Sequence, residues 1–188
     1  MKEYMPHFKE LWLARRFMPV KGVEPFSSIM SLSQDTANMV AHQAGKRFDG
    51  DYIEERRQVE DWLRAGAEAQ SVVIESTHPL YFRLYPRPIK FSRNGEKIIT
   101  LRLGLLPAEN LSFTFDDSFH NYASLGGRPS VMTTEPRVYS FHQMDQQLAE
   151  TGFPSSFDGG DPGRYIEVQL WSRPPILSYL GEVAMRNS

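Results

Sequence analysis

From Tyr165 to Trp171 apolar and polar side chains alternate without a break. Ile166, Val168 and Leu170 fall on one face of an extended chain, and Tyr165, Glu167, Gln169 and Trp171 on the other. The pattern predicts a strand with one core face and a second face that carries a carboxylate and an amide. The Gly/Asp/Pro-rich run Asp158-Gly159-Gly160-Asp161-Pro162-Gly163 precedes it, which predicts a loop that sets the polar face at the rim of a cleft. Leu80 to Tyr85 and Ile98 to Leu103 alternate in the same way, and Ser71 to Ile74 is rich in β-branched residues. Asn94-Gly95 favours a type I′ turn, so Ile89 to Arg93 and Glu96 to Leu101 are expected to pair as a hairpin. Leu111, Phe113 and Phe115 share one face of a further strand, opposite Ser112 and Thr114.

Helical periodicity dominates earlier in the chain. Phe8, Leu11, Trp12 and Arg15 recur at helical spacing and predict a short amphipathic helix between Phe8 and Phe17, with Lys9, Arg15 and Arg16 on its solvated side. Ser31-Leu32-Ser33-Gln34 has the spacing of a capping box ahead of Ala37, Val40, Ala41 and Ala44. Asp51-Tyr52-Ile53-Glu54 repeats the device, and Tyr52, Ile53, Val59, Trp62 and Leu63 then form the strongest apolar stripe, with Trp62 and Leu63 as core anchors. Glu54, Glu55, Arg56, Arg57, Glu60, Asp61 and Arg64 read as surface pairs of that helix. A last helix runs from the box Ser140-Phe141-His142-Gln143 through Met144 and Leu148 to Thr151-Gly152. Residues 1–69 are thus mostly helical or irregular, and residues 70–188 mostly strands with one helix near 140–151. That order predicts a single α+β domain, with N-terminal helices packed on a mainly antiparallel, bent sheet whose central strand is 165–171.

Composition narrows the function more than the fold. At 188 residues with 40% hydrophobic content the chain can bury one sizeable core. Its 21 Lys and Arg against 23 Asp and Glu give no global attraction to polyanions, so any such site is a local patch. No apolar run approaches the length of a membrane span, and the Met1-Lys2-Glu3-Tyr4-Met5-Pro6 start lacks a secretory core, so a cytoplasmic location is expected. The absence of cysteine removes disulfide, thiolate and cysteine-zinc chemistry. Gly-x-Ser-x-Gly and Gly-rich phosphate-loop patterns are missing, and His7, His42, His78, His120 and His142 include no closely spaced pair.

Three groups of residues remain as candidate chemistry. Glu167 and Gln169, two apart on a strand, point the same way, so the carboxylate can stabilise a developing cation while the amide orients it; the alternative is a wet strand face. Ser112, Thr114, Asp116, Asp117, Ser118, His120 and Asn121 run from a strand into an Asp-rich bend. Asp116, Asp117 and His120 follow no recognised metal spacing, no metal site is expected, and the bend reads equally as an Asx-turn or helix cap. Arg83, Arg87, Lys90 and Arg93 interleave with Tyr81, Phe82, Tyr85 and Phe91, a combination that can bind phosphate and stack bases or simply form a solvated strand face.

The succession Leu80-Tyr81-Phe82-Arg83-Leu84, Ile98-Ile99-Thr100-Leu101-Arg102-Leu103, Phe113-Thr114-Phe115-Asp116-Asp117-Ser118 and Tyr165-Ile166-Glu167-Val168-Gln169 resembles a family of uncharacterised bacterial proteins and, more distantly, is similar to the DarT-like ADP-ribosyltransferases. The resemblance spans roughly residues 78 to 171 in short motifs. It implies a strand ending at a Thr-Asp bend, and a C-terminal strand whose glutamate, here Glu167, stabilises the nicotinamide-ribose transition state. Gln169 would orient that carboxylate, Arg83 would meet a phosphate of NAD, and Thr114 and Tyr81 would complete the cofactor site. The acceptor would be a nucleic acid or a protein. The His-x-Thr strand that grips NAD in those enzymes has His7-Phe8-Lys9 as its nearest counterpart, with lysine in place of the hydroxyl. The competing expectation is a non-enzymatic binding or accessory module, toxin-neutralising or phage-related, that uses the basic aromatic face of 81–93.

Overall fold

Alternation governs the sheet. The computed structural model describes residues 7–43, 50–89, 95–125, 137–154 and 165–186. Six strands, β1 (Trp12–Phe17), β2 (Leu80–Tyr85), β3 (Lys97–Arg102), β4 (Leu111–Phe115), β5 (Tyr139–Ser140) and β6 (Ile166–Leu170), form one sheet in the order β3-β1-β2-β6-β4-β5, and every neighbouring pair is antiparallel. With its helices this is the α+β fold that the sequence predicts, and β6 lies in the sheet interior between β2 and β4. Around it run α1 (Gln34–Gln43), α2 (Gly50–Ala69), α3 (Ser118–Leu125), α4 (Phe141–Thr151) and α5 (Pro175–Arg186).

Both faces of the sheet are covered. Leu80, Phe82 and Leu84 of β2, Ile166, Val168 and Leu170 of β6, and Leu111 and Phe113 of β4 alternate into a core shared with Met144 and Leu148 of α4 and Leu177 of α5. On the opposite face Val59, Leu63 and Ala67 of α2 pack with Val72, Val138 and Trp171. Gly66 lets α2 approach closely, because a Cβ there would stand 2.5 Å from Val138 Cγ2. All five residues of β6 are buried, as expected of a strand with helices on both sides.

Several sequence expectations need correction. Residues 8–17 form no amphipathic helix: Phe8–Glu10 is one 3-10 turn, and Trp12–Phe17 is a strand flanked on both sides. Ten residues are too few to separate a period of 3.6 from one of 2 when arginine stems cover apolar surface. Arg15 is no solvated cation either. Its Nε donates to Pro25 O at 2.8 Å, Nη1 to Tyr81 O at 3.0 Å and Nη2 to Ser27 O at 2.6 Å, so it ties the 25–27 turn to the sheet. Burial first, then the charges of Arg173 and Arg56, push its pKa down to about 10. Arg16 keeps the surface role and pairs with Glu96 at 3.7 Å.

The segment 71–74 is not a strand. Ser71 takes a left-handed conformation, φ 60°, and closes α2 through Ser71 N–H to Glu68 O and Val72 N–H to Ala67 O. Ser33, two residues after the expected Ser31, caps α1, with Thr36 N–H donating to its hydroxyl at 3.3 Å. Trp62 is half-buried, whereas Leu63 and Val59 are fully enclosed. The box at Ser140 and Gln143 and the positive-φ Gly152 bound α4 as expected. Two helices in the half expected to be mostly strands, α3 and α5, join it. Lys90, Phe91, Arg93, Asn94 and the 158–163 loop lie outside the described residues, so the predicted hairpin is described only at Ile89 and from Gly95 on; β3 pairs with β1.

Candidate functional site

Antiparallel register decides which polar side chains meet. Glu167 on β6 stands opposite Arg83 on β2 and Thr114 on β4, and Gln169 stands opposite Tyr81 and Ser112. Alternation then puts all six on the sheet face beneath α2 and α3. Every residue singled out for the site, Glu167, Gln169, Arg83, Thr114 and Tyr81, therefore occupies two adjacent rows of one face.

A directed chain of hydrogen bonds fixes the buried part. Trp171 Nε1 donates to Ser112 Oγ at 2.9 Å, and Ser112 Oγ donates to Gln169 Oε1 at 2.9 Å. Gln169 Nε2 is thereby turned toward Thr114 Oγ1 and Glu167 Oε1, each at 3.2 Å, and Thr114 in turn donates to the Asp116 carbonyl at 3.2 Å. With its carbonyl oxygen engaged by Ser112, the amide can present only its N–H groups to the carboxylate. Gln169 thus orients Glu167, and neither side chain is wet: Glu167 is 7% exposed and Gln169 0%.

The carboxyl of Glu167 sits where its charge is disfavoured. Burial, and then the neighbouring Asp117, push its pKa up to about 7, while Arg56, Ser118 and Gln169 act in the opposite sense. Ser118 is fully buried. The Asp-rich bend serves as a cap: Asp117 Oδ1 accepts from Phe119 N–H at 2.8 Å at the start of α3. Asp116 bridges β4 to the approach to β6 in a left-handed conformation, φ 61°, with Tyr165 N–H donating to its Oδ1 at 3.3 Å. Asp117 Oδ2 accepts from Tyr165 OH at 2.8 Å. Among the described residues no group of three His, Asp or Glu side chains can hold a metal ion.

Arg83 and Tyr81 differ sharply in access. Arg83 is exposed, lies 4.0 Å above the Tyr165 ring and forms no ion pair among the described residues. Tyr81 is capped by the Arg56 guanidinium, 3.8 Å from its ring centre, and its hydroxyl donates to Glu60 Oε1 at 3.1 Å. Arg56 and Glu60 correct the expectation of a surface pair, since both are buried, 3.3 Å apart. Arg64 likewise turns inward, over the Trp171 ring and onto the carbonyls of Ser76 and Thr77. The exposed Arg57–Glu54 pair is the surface kind that the sequence predicts.

Set against known protein families, curated proteins and solved structures, the chain matches none. No helix among the described residues is long and apolar enough to cross a membrane. His7-Phe8-Lys9 enters a 3-10 turn rather than a strand, and Phe8 packs on Phe113 and Phe141. Sequence reasoning placed Ser118 in the Asp-rich bend and Tyr165 on the Glu167 face, but missed Arg56, Glu60 and His78. For Arg56 and Glu60 a signal existed: Tyr52, Arg56, Val59, Leu63 and Ala67 follow one another at three- and four-residue steps, and Glu60 stands four after Arg56 and three before Leu63, so both charges lie on the apolar stripe of α2.

Proposed function

We propose that the protein is a cytoplasmic transferase of the ADP-ribosyl type that takes NAD and passes its ADP-ribose to a nucleic-acid or protein acceptor. The observation that carries this reading is the row Arg83–Glu167–Thr114, which sets a cation with no ion pair among the described residues beside a buried, amide-oriented carboxylate. In such a reaction the bond between ribose C1′ and the nicotinamide nitrogen breaks and its electron pair leaves with neutral nicotinamide. The ribose becomes cationic and the acceptor attacks C1′, losing a proton. An ionised Glu167 fixed by Gln169 lowers the energy of that cation without reorganising, which is the most effective form of electrostatic catalysis. Arg83 would meet the diphosphate at the accessible end of the row. Tyr81, covered by Arg56, would support the row from behind rather than touch the cofactor.

The experiment is incubation of the purified chain with labelled NAD and a pool of DNA, RNA and protein. Label transfer or nicotinamide release that falls about a hundredfold or more in Glu167→Gln supports the reading, on the scale seen when one electrostatic stabiliser is removed. Because only the ionised carboxylate serves, activity should rise as pH passes about 7. Intact NAD across the pool ends it. A second reading, a non-enzymatic binding module, draws on the depth of Glu167 at 7% exposure and on the exposed Arg83 and Arg87. It expects NAD to survive, and polyanion affinity to fall in an Arg83→Ala/Arg87→Ala double variant.

A further inference from the structure

Trp171, Ser112, Gln169 and Thr114 stand behind Glu167 on the same sheet face, and all of them are fully buried. Every hydrogen bond among them must therefore be made inside the protein. Hydroxyls and amides are ambiguous members of such a chain. Ser112 and Thr114 can rotate to donate in either direction, and a primary amide turned over exchanges its oxygen and its nitrogen with little change of shape. The indole is not ambiguous, because its N–H only donates.

That one-way group stands at the head of the chain. Because Trp171 Nε1 donates to Ser112 Oγ at 2.9 Å, the Ser112 hydroxyl directs its own hydrogen onward, to Gln169 Oε1 at 2.9 Å. The amide nitrogen is then left for Thr114 Oγ1 and Glu167 Oε1, each at 3.2 Å. Reversal of the amide would set Nε2 against a hydroxyl that already accepts from the indole, and would deprive the Ser112 hydrogen of the Gln169 oxygen. It would also turn Gln169 Oε1 toward Glu167, oxygen against oxygen, which is tolerable only while the acid keeps its proton. The direction of the amide thus decides which form of Glu167 it supports: N–H favours the carboxylate, C=O the acid. At the other end the Asp116 carbonyl accepts from Thr114 at 3.2 Å and agrees with the observed direction, but Thr114 can leave it and donate to the amide oxygen instead.

We propose that Trp171 is a positioning residue for Glu167: acting through Ser112 and Gln169, its indole N–H fixes the direction of the amide and so holds a donor against the carboxylate. The inference concerns the charge on Glu167, whatever that residue acts on, and does not rest on the transferase reading. The other charged and titratable groups around Glu167 are Arg56 and Tyr52 from α2, Asp117 ahead of α3, Tyr81 and Arg83 from β2, and Tyr165. Arg56 is paired in turn with Glu60, whose second oxygen lies 2.7 Å from His78 Nδ1. Substitution at Trp171 or Ser112 replaces none of these.

The test is a pH titration of the full-length chain labelled with 13C at the glutamate side-chain carboxyls, with the Glu167 resonance assigned by its absence in Glu167→Gln. Trp171→Phe keeps an aromatic ring and removes the N–H, and Ser112→Ala breaks the chain one step later. Each should raise the Glu167 midpoint by about one pH unit, the loss of one hydrogen bond to a charged group. Thr114→Val removes a buried hydroxyl on the other side of the amide and should not raise it. A midpoint unmoved in either of the first two variants, or raised as far by Thr114→Val, would overturn the proposal. Should Trp171→Phe not fold, the smaller change Ser112→Ala decides in the same way. NAD takes no part in these measurements, so their outcome is distinct from the fate of the transferase reading.

Discussion

Glutamine in place of Glu167 removes one charge and almost no volume, so it isolates what the ionised carboxyl costs where it stands. The folded-state pKa is pushed up to about 7 from an ordinary 4.5, chiefly by burial. Between those values the native protein holds a proton that the unfolded chain has released. Wild-type stability is therefore fully present below the unfolded value and is lost as pH rises through the folded one. At about 1.4 kcal/mol per pH unit, the loss is about 2 kcal/mol by pH 6 and about 3 kcal/mol by pH 8. Glutamine mimics the protonated acid at every pH. Urea unfolding should give wild type and Glu167→Gln the same stability near pH 4, and should show the variant ahead by about 3 kcal/mol near pH 8. A difference that does not change with pH, or a variant less stable at the alkaline end, would refute the reasoning. The second outcome would mean that Arg56 depends on the Glu167 charge more strongly than burial opposes it.

Two further predictions concern α2. Gly66→Ala should lower stability by about 1 to 3 kcal/mol through the clash with Val138, despite the better helix propensity of alanine, and calorimetry should show the cost shrinking without vanishing in a Val138→Ala background, because the Cβ that alanine keeps still stands 2.8 Å from the added methyl. Leu63→Ala should cost about 2 to 5 kcal/mol in denaturant titrations, and Trp62→Ala less, because Trp62 is only half-buried; the reverse order would put the helix in the wrong rotation.

What could be read from the sequence was what repeats within a few residues. The alternation of Leu80–Tyr85, Leu111–Phe115 and Ile166–Leu170 gave three strands with the right faces, and the shared face of Glu167 and Gln169 followed from it. Register was not legible, because nothing local says that Arg83 meets Glu167 across a gap of more than eighty residues; that pairing is set by how the whole sheet packs. Burial of the polar face was also hidden, since a half-solvated strand and one roofed by α2 share the same alternation. The strand at Trp12–Phe17 was masked by Arg15, whose inward turn depends on the carbonyls of Pro25, Ser27 and Tyr81. The helix α5 did carry local signals that were passed over, with Pro175 in its first turn and Ile176, Leu177, Leu180 and Ala184 on one face.

The interior position of β6 bears on how the chain is made. Its two neighbours, β2 and β4, are synthesised about fifty to ninety residues earlier, and within the sheet they are joined to each other only through it: without β6 the sheet separates into β3-β1-β2 and β4-β5. A nascent chain that has not yet released Leu170 from the ribosome therefore holds two partial sheets with open edges at Leu80–Tyr85 and Leu111–Phe115, both rich in apolar side chains. Pairing so distant in sequence is slow to close. Translation arrest before residue 166 should leave a species that chaperones retain and proteases cut, and the arrival of one five-residue segment should end both.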